Sequence, residues 1–260
     1  MEFYFSNNDP DYDGFSFVSI QNQNPVGDFL DGFFTDQIIL SSNTDFSGSG
    51  HKSRSLLKFD DLGSKVFQKI SPNDTYFVKE AIIYIYNVAG MSGSLTNSIK
   101  LGTLNSDQPQ FDIVNTDWNS ANSSEDWEVP GAIDTFTGDQ LYETYSGSIN
   151  RFDDTFILAP TNGSNLEHGW IPLRLNSKAV ESWLVNNDNN KGSILVLGNE
   201  NSDFAQFQFI DTFNEHSTTL YLKIQVNNTN ARVSSESISS WSEKSLEEKL
   251  EPLQRYLRSK

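Results

Sequence analysis

Cysteine is absent from this chain of 260 residues. Disulfides and thiolate metal sites are therefore excluded. Basic residues are few: 18 Lys and Arg stand against 35 Asp and Glu, for a formal net charge of −17. A surface this acidic repels phosphate, which argues against nucleic acid as a partner and against adhesion to an anionic membrane. Long apolar runs are missing too, and none approaches the about 18 residues of a membrane-spanning helix. The stretch from Met1 to Asp9 has neither the basic nor the apolar region of a signal peptide. Histidine occurs three times, at His51, His168 and His216, in separate polar segments without HxH or HExxH spacing. No GxSxG elbow, P-loop or GxGxxG turn occurs. Acids are plentiful, but nothing singles out a pair for glycoside chemistry. The expectation is a protein that is not an enzyme.

What the chain has instead is aromatic. Only 36% of residues are hydrophobic, yet 13% are Phe, Trp or Tyr and Phe alone occurs 19 times, so a core must rest on large rings. Asn, Ser, Asp, Thr and Gly fill much of the remainder, which predicts short strands joined by frequent turns. Strand patterns fall at 37–40, 54–60, 78–88, 98–102, 152–159, 170–175, 193–197, 204–210 and 218–226. The segment Ala81-Ile82-Ile83-Tyr84-Ile85-Tyr86 is too apolar for a sheet edge. Leu220, Leu222, Ile224 and Val226 alternate with Tyr221, Lys223 and Gln225, the pattern of a half-buried strand. Helical spacing is confined to 177–184, where Ser177 is placed as the cap, and to the C-terminal segment. Short strands without long interleaved helices indicate a sandwich.

From about 240 onward the chain turns charged. Leu246, Leu250, Leu253 and Leu257 step by helical intervals and make one apolar stripe. Ser245 and Glu248 fit a capping box. Early Glu and late Arg and Lys match the helix dipole, whereas Pro252 interrupts it. A helix this short needs a surface to pack on, so Trp241 and the four leucines are the candidate partner interface. Two further constellations stand out. Asp9-Pro10-Asp11-Tyr12-Asp13-Gly14 copies the first half of a calcium loop but places Ile20 where a bidentate Glu belongs. Asp9, Asp11 and Asp13 are thus candidate ligands for a structural Ca2+, and no other cofactor is expected. Trp118 and Trp127 lie in a loop-like acidic stretch and are the candidates for stacking on sugar rings.

The order of these pieces carries a resemblance. Arg54-Ser55-Leu56-Leu57-Lys58-Phe59-Asp60 and Glu80-Ala81-Ile82-Ile83-Tyr84-Ile85-Tyr86 come first. The stretch from Trp118 to Asp134, with Trp127 and Pro130-Gly131, comes next. Then follow Ala179-Val180-Glu181-Ser182-Trp183, Gly192-Ser193-Ile194-Leu195-Val196-Leu197 and Thr219-Leu220-Tyr221-Leu222-Lys223-Ile224. In this order they resemble the DNRLRE-type β-sandwich modules, also classed with carbohydrate-binding modules, although the last strand lacks that family's Pro. The similarity spans about 33–226. It implies a jelly-roll-like sandwich of the kind found on cell surfaces, on polysaccharide-degrading enzymes and in phage structural proteins, with acidic polysaccharide as a ligand of some members. Basic residues for such a ligand are sparse here.

The expected architecture is all-β: a jelly-roll-like antiparallel β-sandwich over 29–228, an extended N-terminal arm over 1–28, and a linker with a short amphipathic helix over 229–260. The arm would fold onto a neighbour or onto its own sandwich. The expected function is that of a virion structural protein, a tail, fibre, neck or capsid-decoration component, packed against copies of itself or neighbouring structural subunits. The alternative is a carbohydrate-binding module for surface polysaccharide. The expected location is a virion or an extracellular surface.

Overall fold

The computed structural model describes residues 1–6, 9, 11–22, 33–34, 37–44, 50–71, 75–87, 92–93, 98–133, 149, 151–157, 169–198, 200, 204–210 and 220–228. In chain order the elements are β1 (Glu2–Phe5), β2 (Phe15–Gln21), β3 (Phe33–Phe34), β4 (Gln37–Thr44), β5 (Gly50–Phe59), α1 (Leu62–Phe67), β6 (Tyr76–Asn87), β7 (Ser92–Gly93) and β8 (Ser98–Thr103). They continue with β9 (Asp154–Ile157), β10 (Gly169–Arg174), α2 (Ser177–Val185), a 3-10 turn at Asn187–Asn189, β11 (Ser193–Leu197), β12 (Phe204–Ile210) and β13 (Leu220–Asn228).

Every pairing among these strands is antiparallel, and they form two sheets. The smaller sheet runs β1-β13-β6-β10. The larger runs β7-β12-β4-β5-β11-β8-β9, with β2 joined to β5 and β3 to β2. β5 is the hub: it pairs β4 through Gly50–Ser53, β2 through Ser53–Phe59 and β11 through Ser55–Leu57. The architecture is the all-β sandwich expected from the strand pattern, and β6 is interior as its apolar run requires.

One core fills the space between the sheets. Phe3, Phe5, Ile83, Ile85, Ile171, Leu173, Leu222 and Ile224 of the smaller sheet meet Phe17, Leu40, Leu57, Phe59, Ile99, Leu101, Leu195 and Leu197 of the larger. α1 and α2 close one end of it with Leu62, Val66, Val180, Trp183 and Leu184. The larger sheet is also buried on its second face. There Val18, Ile20, Leu56, Ile194 and Val196 pack against Leu104, Phe111, Ala121, Trp127, Ala132 and Ile133 of the segment that follows β8. This double burial explains why β2 and β11 show no period of two: their residues have no wet side.

Two boundaries move. The segment expected as an N-terminal arm folds onto its own sandwich. β1 pairs β13 from Glu2↔Gln225 to Phe5↔Leu222, and β2 pairs β5 from Phe15↔Phe59 to Gln21↔Ser53. Buried Phe3, Phe5, Phe17, Val18 and Ile20 account for this, so the sandwich begins with β1 and not near 29. The cap of α2 is Asn176, one residue before Ser177: its Oδ1 accepts from Lys178 N and Ala179 N, at 3.0 and 3.4 Å. Residues 229–260, with Trp241, Leu246, Leu250, Leu253 and Leu257, lie outside the described residues.

Candidate functional site

The acidic loop after β8 was the expected home of exposed tryptophans, and its construction explains why it presents none freely. Its Asn and Asp side chains act as local caps. Asp112 Oδ1 accepts from Val114 N and Asn115 N, Asp117 Oδ1 from Asn119 N and Ser120 N, and Asn122 Oδ1 from Ser124 N and Glu125 N, all between 2.6 and 3.0 Å. These turns fold the segment down on the larger sheet. Trp127 is 4% exposed in the second core, and its Nε1 donates to Asp117 O at 3.1 Å. Trp118 is half-buried, with the Arg54 guanidinium 4.8 Å from its ring centroid and Gly131 beneath it. Gly131 has φ +78, and a Cβ there would come within 2.5 Å of the Trp118 ring. Trp127 thus has no open face for a sugar ring, and one side of Trp118 is taken by Arg54.

Arg54 is the unforeseen centre of this region. It is fully buried on the second face of the larger sheet. Nε and Nη2 donate to the two carboxylate oxygens of Glu200 at 2.7 and 2.6 Å, and Nη1 donates to Gly131 O and Ile133 O at 2.6 Å each. A buried guanidinium is tolerable only with such complete pairing. It ties two loops to β5. The contact joins residues 146 positions apart, so no local spacing marks it.

Asp9, Asp11 and Asp13 are placed in a turn with another occupation. Asp9 Oδ2 pairs with Lys65 Nζ of α1, and Asp9 Oδ1 accepts from Asp11 N at 3.0 Å. The Lys65 ammonium beside it holds the Asp9 carboxyl below its ordinary pKa. Tyr12 turns inward and donates to Asp60 O at 2.8 Å. Among the described residues no three His, Cys, Asp or Glu side chains come together as a metal-binding group. Of the histidines, His51 lies in β5 opposite Asn43, and His168 and His216 fall outside the described residues. No described helix is long and apolar enough to cross a membrane.

The surface that stands out is the outer face of the smaller sheet. Alternation sends Tyr4, Tyr221, Tyr84 and Trp170 outward from β1, β13, β6 and β10. Tyr221 faces Tyr84 across the ladder, and Tyr84 faces Pro172. Tyr84 and Tyr221 stack at 4.8 Å and 15°, with Trp170 edge-on to Tyr221 at 5.1 Å and Tyr4 tilted at 6.0 Å. Trp170 is 42% exposed and Tyr4 49%. Beside the rings, Lys223 Nζ meets Glu2 Oε1 at 2.7 Å and Arg174 Nε meets Glu80 Oε1 at 3.6 Å. Tyr4 donates to the other Glu2 oxygen at 2.8 Å. The Lys223 hydrogen bond, and then that of Tyr4, lowers the Glu2 pKa; the same contacts raise those of Lys223 and Tyr4. Burial raises that of Tyr221. Acids and bases on this face cancel, in a molecule that is otherwise strongly acidic.

The chain matches no protein-family model, and no curated protein matches it. The class defined by the fold is a two-sheet antiparallel β-sandwich. Its clearest exposed feature among the described residues is an aromatic, charge-balanced sheet face.

Proposed function

We propose that this chain is a non-enzymatic structural protein of a virion or surface assembly, and that it meets a second copy of itself through the outer face of the smaller sheet. The observation that carries this reading is the row of four rings, Tyr4, Tyr221, Tyr84 and Trp170, on a face whose ion pairs balance. Tyr and Trp are enriched in protein interfaces, where they bury large areas at little entropic cost. Tyr84 and Tyr221 cover each other's faces, which suits edge contact with another protein better than flat stacking on a sugar. Copies carrying −17 each repel over most of their surface, and the balanced face is where that repulsion is weakest. It is also self-complementary, since a two-fold axis would set Glu2 and Glu80 of one copy near Lys223 and Arg174 of the other.

The C-terminal segment supplies a second contact in this reading, through Trp241, Leu246, Leu250, Leu253 and Leu257. The order of motifs that resembles the DNRLRE-type modules, some of which belong to phage structural proteins, is in keeping with it. Sedimentation velocity tests the proposal on three chains: the full one, one ended at Asn228, and Tyr4→Ser/Tyr221→Ser/Trp170→Ser. The full chain should self-associate, the shortened chain should associate more weakly, and the face variant should be monomeric and folded. Monomeric behaviour of the full chain at all concentrations would contradict it.

A further inference from the structure

The edge of a sheet is a row of backbone donors and acceptors without ladder partners, and the smaller sheet treats its two edges differently. β10 is one of them. Leu175 N donates to Ala81 O at 2.9 Å, so by alternation Trp170, Pro172 and Arg174 turn their backbone groups away from β6. That outward row is closed to another strand. Pro172 has no N–H to offer, and Arg174 N already donates to the carboxylate of Asp154 in β9, at 2.8 Å.

The opposite edge is β1. Met1 N donates to Val226 O at 2.7 Å, and Val226 N donates to Met1 O at 2.9 Å. From that bonded pair the register carries Phe3 and Phe5 onto Ile224 and Leu222, and Glu2 and Tyr4 turn their N–H and C=O groups outward. Among the described residues no strand pairs with this row, and the side chains of Glu2 and Tyr4 are exposed. The row ends at Ser6, whose carbonyl accepts from Asp9 N as the chain turns away. Neither of the usual guards stands on it. β1 contains no Pro, and the charge of Glu2 is met by Lys223 at 2.7 Å.

We infer that the edge of β1 pairs antiparallel with β1 of a second copy, about a two-fold axis at Phe3. Symmetry names the occupant. In that register Glu2 of one copy stands opposite Tyr4 of the other, and each such pair exchanges both backbone hydrogen bonds, so every outward N–H and C=O of Glu2 and Tyr4 is satisfied. The closed β10 edge sets the mode: a copy cannot add its β10 to β1 and grow head to tail, so the pairing closes as a dimer. Two four-stranded sheets then become one continuous sheet, with the aromatic rows of both copies on the same side. Backbone bonds supply the affinity in strand addition, and so short an edge makes a transient contact by itself. The inference goes beyond the face contact proposed above, because it uses the backbone of an edge and needs none of the rings.

The test traps the pairing with thiols, which the chain otherwise lacks. Position 2 of one copy lies opposite position 4 of the other, about 5.5 Å between Cα atoms and within disulfide reach. Like positions lie on the diagonal, about 7–8 Å apart, and copies stacked by their faces are about 10 Å apart; both are past that reach. The full chain carrying Glu2→Cys and the full chain carrying Tyr4→Cys, mixed at about 1 mM in a glutathione buffer, should give at least about fivefold more cross-linked dimer than either variant alone. Using Glu2→Cys/Tyr4→Pro in place of Glu2→Cys, which removes an outward N–H, should cut the mixed product at least about fivefold. Glu2→Cys/Tyr4→Ala, which loses the ring but keeps the N–H, should not, and the circular dichroism of both should stay that of the parent. Cross-linking should persist when both partners also carry Tyr221→Ser/Trp170→Ser, which separates the edge from the face contact. Equal yields in mixed and single solutions, or no dimer in any, would overturn the inference. So would equal losses with Pro and Ala, or loss of the product when the rings are removed.

Discussion

Arg54 occupies a position on β5 where its neighbours Leu56 and Ile194 would lead one to expect another aliphatic side chain. The charge-assisted hydrogen bonds to Glu200, Gly131 and Ile133 make it the fastener of the loop that carries Gly131 and Ile133. Removing one partner of a buried pair typically costs about 3–5 kcal/mol, because the other charge is left stranded. Arg54→Ala should therefore lower the urea-unfolding free energy by about that amount. Arg54→Met combined with Glu200→Met should recover part of it, but not all, because the carbonyls of Gly131 and Ile133 still lose their donor. A loss under about 0.5 kcal/mol for Arg54→Ala, the size typical of an inconsequential surface change, would refute the fastener role.

Tyr12 offers a test by pH. Burial, and after it the nearby carboxylates of Asp60, Asp61 and Asp13, push its pKa far above the ordinary tyrosine value. The fold thus keeps Tyr12 protonated where the unfolded chain ionises it. That contribution is complete below about pH 10, the ordinary tyrosine pKa, and is lost as the pH rises beyond it. Melting temperatures measured from about pH 8 to 11 should fall for the parent and fall less steeply for Tyr12→Phe. Parallel curves would remove Tyr12 from the account. At this scale the sequence was least informative. Neither the partner of Arg54, far along the chain, nor the inward turn of Trp127 leaves a local mark, and the loop around Trp127 reads as polar because its polar groups are satisfying its own backbone.

Elements were legible in proportion to how wet one of their faces is. β13 alternates because its inner row, Leu220 to Val226, faces the core while Tyr221, Lys223 and Gln225 face outward, and β6 was recognisable from its β-branched run. β1 was not, being four residues long, and β2 is buried on both sides, which erases its period. α1 escaped for a different reason. Asp61 enters it in the left-handed region at φ 54 with no side-chain cap, so the usual start signal is missing. Since β1 is part of the core, deleting residues 1–6 should destabilise the protein. Phe3 and Phe5 are 3% and 0% exposed, and burying each such ring is worth about 1.5–3 kcal/mol. Thermal unfolding should show a drop of at least about 6 °C, taking roughly 2–4 °C per kcal/mol for a chain of this size. An unchanged melting temperature would restore the picture of a detachable arm.

For the molecule as a whole, charge and aromatic area act together. The net charge of −17 makes copies repel, and in the proposed assembly the balanced face of the smaller sheet is where they would approach. Salt screens the general repulsion, over about 10 Å at 0.1 M, more than it weakens ring contacts, so self-association should strengthen as ionic strength rises. The fold class was readable from strand length and turn composition. The face was not, because its four rings come from four strands that only the sheet brings side by side. The absence of cysteine permits the most direct test. A single nitroxide at Gln225→Cys, on the outward side of β13, should report an inter-copy distance below roughly 30 Å when two such faces pack about 10 Å apart. The same label at Val185→Cys, on α2, serves as the control and should give no comparable short distance. A well-defined short distance at Gln225 alone is what this account predicts; no intermolecular distance at Gln225, or a short one only at Val185, would contradict it.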